Sequence, residues 1–317
     1  MDKTAFKKWN LWVALAVGLV SAVTYLLTIE PTAPYWDCGE FTASSYKLEV
    51  GHPPGNPVYQ LFTRIFTMFT GPGRAAVMAN AFSGICSALT IFFLYLTIVF
   101  FARRLVKPRD GADGYTLGQA VAILGSGAVG ALAYCFSDTF WFSAVESEVY
   151  AMSSLFTALV VWAMTKWYEE EDRRYANRWI VLISFLMGLS IGVHLLNLLA
   201  IPALVFLYYY KERENGKYTF KEVLGILVLS FVLLGLIVFL VVPYLPKLAA
   251  YFDLVFVNGF GLPYNSGAAF FLVVLLGACF WGLFRTLRKG KVFWNTALLC
   301  LTTIVIGFSL FSIVIIR

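Results

Sequence analysis

Charge is scarce in this chain. Asp, Glu, Lys and Arg make up 13% of its 317 residues, while 60% are hydrophobic. Soluble domains carry about 25% charged residues, and a soluble fold has no way to hide this much apolar surface. The soluble globular class is therefore excluded. Alternation of apolar and polar residues in segments of about ten is also missing, which excludes a membrane β-barrel. Histidine is nearly absent: His52 and His194 are the two in the chain, and two histidines far apart make no zinc site. A carboxylate-bound Mg²⁺ or Mn²⁺ stays open. Five cysteines do not make a disulfide framework. Cys86, Cys279 and Cys300 fall inside apolar runs and Cys135 at the end of one, so a Cys38–Cys135 bridge is the pairing left open. There is no Walker motif, and the charged connectors are too short to hold an ATP-binding domain. No internal repeat is visible, which weakens a transporter reading.

What is present is a series of continuous apolar runs near twenty residues long, the length that crosses a bilayer as a helix. They predict nine spans, roughly 11–28, 76–101, 118–136, 147–167, 178–194, 196–210, 222–245, 267–284 and 293–315. The first run is too long for a removed signal peptide and lacks a small-residue cleavage site, so it is expected to remain as an anchor. The expected fold class is all-α: a polytopic membrane protein of about nine transmembrane helices, with residues 1–317 forming a single transmembrane domain. The chain stops as the ninth run ends, and it reads as the membrane part of something longer.

The basic residues orient this arrangement. With the N-terminus in the cytoplasm, one side holds Lys3, Lys7, Lys8, Arg103, Arg104, Lys107, Arg109, Lys166, Arg173, Arg174, Arg178, Lys211, Arg213, Lys217, Lys221, Arg285, Arg288, Lys289 and Lys291. The other side keeps Lys47, Arg64, Arg74, Lys247 and Arg317. Such segregation follows the positive-inside rule. The net charge of +6 therefore reports topology and not a nucleic-acid surface.

The polar groups able to do chemistry gather on the outer side. The first outer loop, 29–75, is long enough to be functional or to hold structure of its own. Two short helices are expected in it. One covers about Asp37–Leu48. The other starts with Asn56 as N-cap and Pro57 at the first helical position. In the second, Val58, Leu61, Phe62, Ile65 and Phe69 recur at helical spacing opposite Gln60, Arg64 and Thr67, the pattern of an interfacial helix.

Asp37 and Glu40 stand three apart, so one helical face can present both. Two nearby carboxylates suit general-base work, one taking a proton while the other orients the acceptor. The plainer reading is that both cap a helix start. In the second outer loop Glu146 and Glu148 begin the fourth span, either as functional acids or as first-turn acids. Read as a helix, this segment puts Glu146 and Tyr150 on one face and Glu148 about 200° away. His52 sits in a turn stiffened by proline and glycine, and either meets a phosphate or acceptor or simply turns the chain. His194 and Asn197 mark the third outer turn, as binding groups or as hydrogen-bonded packing. Arg64 is suited to the phosphate of a lipid carrier or to an anionic headgroup. The outer aromatics Trp36, Tyr59 and Trp141 are of a type that stacks on sugars, and equally of the interfacial belt.

WDCGEF, then GHPPGNPVYQL, ESEVYAM and GLSIGVHLLNLL resemble the GT-C superfamily of integral-membrane glycosyltransferases. They resemble most closely a bacterial family of long membrane proteins, common in the Bacteroidota and related to protein O-mannosyltransferases. The resemblance covers nearly the whole chain. It implies a GT-C-like fold and an inverting transfer of a mannose-like sugar from a polyprenyl-phosphate donor. The implied acceptor is a hydroxyl, of protein Ser or Thr or of a glycan, and the implied place is the periplasmic face of the bacterial inner membrane. Asp37 matches the first-loop carboxylate that acts as base or acceptor-binding group, with Glu40 beside it. The protein O-mannosyltransferases have adjacent Asp-Glu, whereas two residues intervene here. A soluble C-terminal region, frequent in the family, is not part of the chain. A flippase for a lipid-linked sugar and a non-catalytic scaffold are the competing readings. The flippase predicts charged or broken helices at mid-membrane, and the scaffold predicts no clustered acid and base groups.

Overall fold

A computed structural model describes residues 1–52, 55–106, 114–213 and 218–315. Pro53, Pro54, Lys107, Arg109, Lys217 and Arg317, which entered the readings of the turn and of the charge bias, lie outside the described residues. The helices are α1 (Lys3–Leu27), α2 (Cys38–Lys47), α3 (Pro57–Thr67), α4 (Ala75–Leu105), α5 (Leu117–Cys135), α6 (Asp138–Ala144), α7 (Val149–Glu169), α8 (Arg173–Ile191), α9 (Ile201–Glu212), α10 (Phe220–Leu236), α11 (Val242–Leu254), α12 (Ser266–Arg288) and α13 (Val292–Ile315). Among the described residues no β-strand forms; the single bridge joins Asp2 to Gly114. Among the described residues, seven helical stretches are long and apolar enough to cross a membrane. The protein is an all-α, polytopic membrane protein.

Two expected spans, 178–194 and 196–210, fall on the shorter apolar stretches Tyr175–Ile191 and Leu195–Lys211. The first lies within α8, which holds 19 residues. The second is irregular at its start. Residues Leu195–Ala200 wind as a 3₁₀ helix capped by His194, and Pro202 starts α9. A second departure lies beyond residue 245, between the expected spans 222–245 and 267–284. There the helix runs on from Phe220 to Gly259. Pro243 and Pro246 supply no N–H to a helical ladder. A π-turn at Ile237–Val241 comes immediately before them, and another at Val255–Gly259 ends the run. Asp253 then accepts hydrogen bonds from the backbone N–H of Asn265, Gly267 and Ala268 at 3.2, 2.9 and 3.4 Å, which caps α12 from a neighbouring element.

The chain divides into two compact units. The first comprises residues 1–51 and 59–165. Its core joins α1, α4, α5 and α6 through Ala14, Val17, Ile91, Tyr95, Ile123 and Phe140. The Tyr25 hydroxyl donates to the Cys135 carbonyl at 2.9 Å, tying α1 to the end of α5. The second unit comprises residues 52–58 and 166–317. In it α8 and α13 approach backbone to backbone at Gly188 and Gly307, where a Cβ would overlap Ile304 or Leu189. Small residues permit this approach, which is how helices in lipid gain contact.

The two helices expected in the first outer loop are α2 and α3. On α3 the residues Leu61, Phe62 and Ile65 are exposed, as is Phe69 in the turn just beyond it, whereas Gln60, Thr63 and Thr67 are buried. In lipid an apolar stripe has no reason to turn inward, and the polar face packs instead. Val58 departs from the expected stripe and is buried. Asn56 was expected to cap α3 but does not, since both its side-chain amide atoms lack a partner among the described residues. The Val58 N–H, a natural target for such a cap, donates instead to the Gly192 carbonyl at 2.9 Å.

Candidate functional site

The site grows from the first turn of α2. Trp36, immediately before it, has φ 63°, a left-handed conformation unusual for a bulky side chain. Trp36 is also 90% exposed. Asp37 follows at the N-cap position with φ −79° and ψ −6°, and its side chain makes no capping hydrogen bond. An N-cap side chain reaches the helix amides from extended backbone, and Asp37 is helical instead. Its carboxylate is thus left for other work. Glu40 stands in the first turn, and carboxylate oxygens of Asp37 and Glu40 lie within 4.8 Å of each other. Paired acids of this kind are common without an ion, and no metal ligand set is assigned to them.

The next layer comes from the connection between α6 and α7. Residues 145–148 are not helical. The Glu148 N–H donates to the Glu146 carbonyl at 2.9 Å, closing a tight turn. The helical phase expected for this segment therefore does not hold. Glu146 and Glu148 do not diverge, and Glu146 does not share a helical face with Tyr150, which lies half-exposed on α7. Both carboxylates meet the same thiol: the Cys38 S–H reaches Glu148 Oε1 at 3.3 Å and Glu146 Oε2 at 3.9 Å. Ser147 between them donates to the Cys38 carbonyl at 3.3 Å and shares a hydrogen bond with Thr42 Oγ1 at 3.0 Å. Both Cys38 and Cys135 are free thiols, so the bridge left open between them does not form.

The two glutamates are 7% and 9% exposed. Among the described residues neither has a Lys, Arg or His partner. Burial pushes the Glu146 carboxyl above the usual carboxylate range, and Glu30 pushes it further. Burial also raises Glu148; the Cys38 thiol draws it back down, while Asp37 and Glu146 push it up. Burial, with Glu148 and Glu146 beside it, raises the thiol itself. The connection carrying Glu30 is fastened from α4, where Asn80 Nδ2 donates to the carbonyls of Glu30 and Thr32 at 2.7 and 3.1 Å. The Glu30 N–H donates to the Val145 carbonyl at 3.2 Å, which joins the two outer connections.

Tyr59 on α3 is fully buried, its ring edge-on to Phe41 at 5.7 Å and tilted against Phe82 at 5.8 Å. It is no stacking platform for a sugar, and burial raises its hydroxyl. Trp141 Nε1 donates to Thr28 Oγ1 at 3.0 Å. The Arg64 guanidinium lies over the Tyr46 ring at 5.0 Å, and its Nη1 is buried without a hydrogen-bond partner among the described residues.

His52, His194 and Asn197 belong to the second unit. The His52 carbonyl accepts the Gly55 N–H at 2.9 Å. His194 Nδ1 accepts the Leu196 N–H at 3.1 Å, which leaves Nε2 to carry the proton of a neutral ring, and burial lowers its basicity. Asn197 Nδ2 donates to Ser190 Oγ at 2.7 Å and meets Met187 Sδ at 3.3 Å, the bonding of a packed amide.

Sequence reasoning passed over Cys38 and Asn80. The thiol had been read only as a candidate for a bridge to Cys135, although it stands directly after Asp37. The partners of Asn80 are backbone carbonyls about fifty residues away, which leave no sequence pattern.

Fold and site together define a polytopic all-α membrane protein whose first two long connections carry a cluster of carboxylates. The family model described as the protein O-mannosyl-transferase TMEM260 N-terminal domain matches residues 37–217, more than half of the chain, and the chain belongs to that family. The match begins at Asp37. A protein O-mannosyl-transferase TMEM260 of Mus musculus is 27% identical over 179 residues, which cover 56% of this chain and 23% of the mouse protein. A protein O-mannosyl-transferase tmem260 of Dictyostelium discoideum is 23% identical over 222 residues, 66% of this chain and 25% of that protein. The matched region spans about a quarter of the length of either relative. No solved structure matches the chain.

Proposed function

We propose that this chain is the membrane part of a protein O-mannosyltransferase of GT-C type. It would move a mannose-like sugar, with inversion, from a polyprenyl-phosphate donor to a Ser or Thr hydroxyl of a protein, at the periplasmic face of a bacterial inner membrane. The names of its relatives and the motif resemblance support the reaction class. The observation that carries the reading is Asp37. It opens the family-matched region, starts a helix without capping it, and has a second carboxylate within 4.8 Å.

In this reading Asp37 takes the proton of the acceptor hydroxyl as its oxygen attacks the anomeric carbon. The bond from that carbon to the phosphate oxygen breaks, and the phosphate leaves with the electron pair. A phosphate is a fair leaving group, so electrostatic support suffices. Arg64 offers it: a partly buried guanidinium whose Nη1 has no hydrogen-bond partner among the described residues, on the helix that presents an apolar stripe to lipid. Glu40 orients the acceptor.

The test is a transfer assay with a synthetic polyprenyl-phosphate mannose and a Ser/Thr peptide. Asp37→Asn should lower the rate by about 10²–10⁴-fold, the usual contribution of a general base, with donor binding retained. Wild-type rates from Asp37→Asn together with Glu40→Gln would overturn the mechanism. Arg64→Ala should instead raise the donor KM by roughly 10- to 100-fold, since losing a charged hydrogen-bond partner costs about 1.5–3 kcal/mol.

A further inference from the structure

We propose that Cys38 is a positioning residue: its thiol docks the Glu146–Glu148 turn onto the first turn of α2 and hydrogen-bonds Glu148 beside Asp37. The sulfur is fully withdrawn from solvent. It faces two carboxylate oxygens, at 3.3 Å on Glu148 and 3.9 Å on Glu146. One S–H donates to one oxygen at a time, so the shorter contact is the bond and the longer one its alternative.

Around it the docking is completed by Ser147, which bonds the Cys38 carbonyl and Thr42. Ser147 and Glu148, successive residues of one connection, are thus fastened to the start of α2, with Glu146 as the alternative acceptor. The ionisable groups facing this pair are Asp37 and Cys38 from the start of α2 and Glu30 from the preceding connection. All the carboxylates carry the same sign of charge. The thiol is a neutral donor among them, and it favours the ionised form of Glu148 over the protonated one. An alanine there would remove the one side-chain donor to Glu148 among the described residues and leave it, among like charges, with the Val149 backbone N–H. Serine would keep an O–H donor at nearly the same place.

The inference rests on the transfer reading only where it concerns rate, and its primary test is independent of transfer. The carboxylic-acid carbonyl stretch of Glu148, identified by its loss in Glu148→Gln, is titrated by infrared difference spectroscopy on the purified full chain. The donor-less variants Cys38→Ala and Cys38→Val should move its midpoint upward by about one pH unit. Cys38→Ser should stay near wild type. Cys279→Ala, the same truncation at a buried thiol of α12, should leave the midpoint unchanged. A midpoint unmoved in either donor-less variant, or moved as far by Cys38→Ser, overturns the proposal.

In the transfer assay the acidic limb of the pH profile should follow the infrared midpoint while the donor KM stays constant. A uniform loss of rate at every pH, with no displaced limb, would mark a packing role and also overturn it. If the midpoint moves as expected but wild-type protein transfers no sugar, the contact stands and the transferase reading falls.

Discussion

Burial sorts the carboxylates of this cluster into two kinds. Asp37 is exposed, whereas Glu146 and Glu148 are withdrawn from solvent among like charges. A carboxyl raised in the folded protein holds its proton to higher pH than it does in the unfolded chain. Its contribution to stability is complete below the unfolded value and is lost as pH rises through the folded one. Wild-type protein in detergent should therefore unfold at a lower temperature near pH 8 than near pH 5. Glu148→Gln removes the charge while keeping the shape, so the variant should be more stable than wild type at the higher pH. A thermal melt in which Glu148→Gln is the less stable protein at both pH values would show that the ionised carboxylate is favoured where it stands.

Elements in this protein meet by two devices. One is the polar clamp between connections, as where Asn80 of α4 holds the carbonyls of Glu30 and Thr32. The other is close backbone approach at glycine. At Gly188 a Cβ would overlap the Ile304 carbonyl, and at Gly307 it would stand 2.6 Å from the Leu189 nitrogen. Both obstacles are backbone atoms and do not swing aside as a side chain would. Gly188→Ala and Gly307→Ala should each destabilise by about 1–3 kcal/mol, the usual cost of overpacking. Gly277→Ala on α12, where a Cβ meets nothing within 4 Å, should be neutral or slightly stabilising because alanine is the better helix former. Unfolding midpoints that fail to separate the first two variants from the third would mean that α8 and α13 move apart easily.

At the scale of the whole molecule the proposed reaction needs the carboxylate cluster on the outer face. On the proposed reading, the bias of basic residues predicts residues 285–291 in the cytoplasm and the first long connection outside. Glu49 and Lys289 are both exposed. In a cysteine-free background, Glu49→Cys should react with a membrane-impermeant maleimide in intact cells. Lys289→Cys should react only after permeabilisation. The reverse pattern would put the carboxylates on the wrong side for a periplasmic lipid-linked donor.

Membrane class and most spans were legible in the sequence because the preference of a residue for lipid is its own property and sums along a run. Helices α2 and α3 were legible for a related reason. The stripe of Leu61, Phe62, Ile65 and Phe69 has a period that only a helix satisfies, and lipid rewards it locally. Asp37 and Glu40 announced themselves by being charged in an apolar chain. Tertiary structure alone decided what those carboxylates can do. Cys38 meets Glu148 across 110 positions, and that meeting depends on the 145–148 turn leaving the helical path. The backbone angles of Asp37, which free it from capping, are set where the chain turns through Trp36. The continuation of α10 past Pro243 and the 3₁₀ turn after His194 were likewise settled by where backbone donors found acceptors. Hydrophobicity is additive and local, so a sequence displays it; hydrogen bonds between distant segments are pairwise, and they exist only once the fold has brought the two partners together.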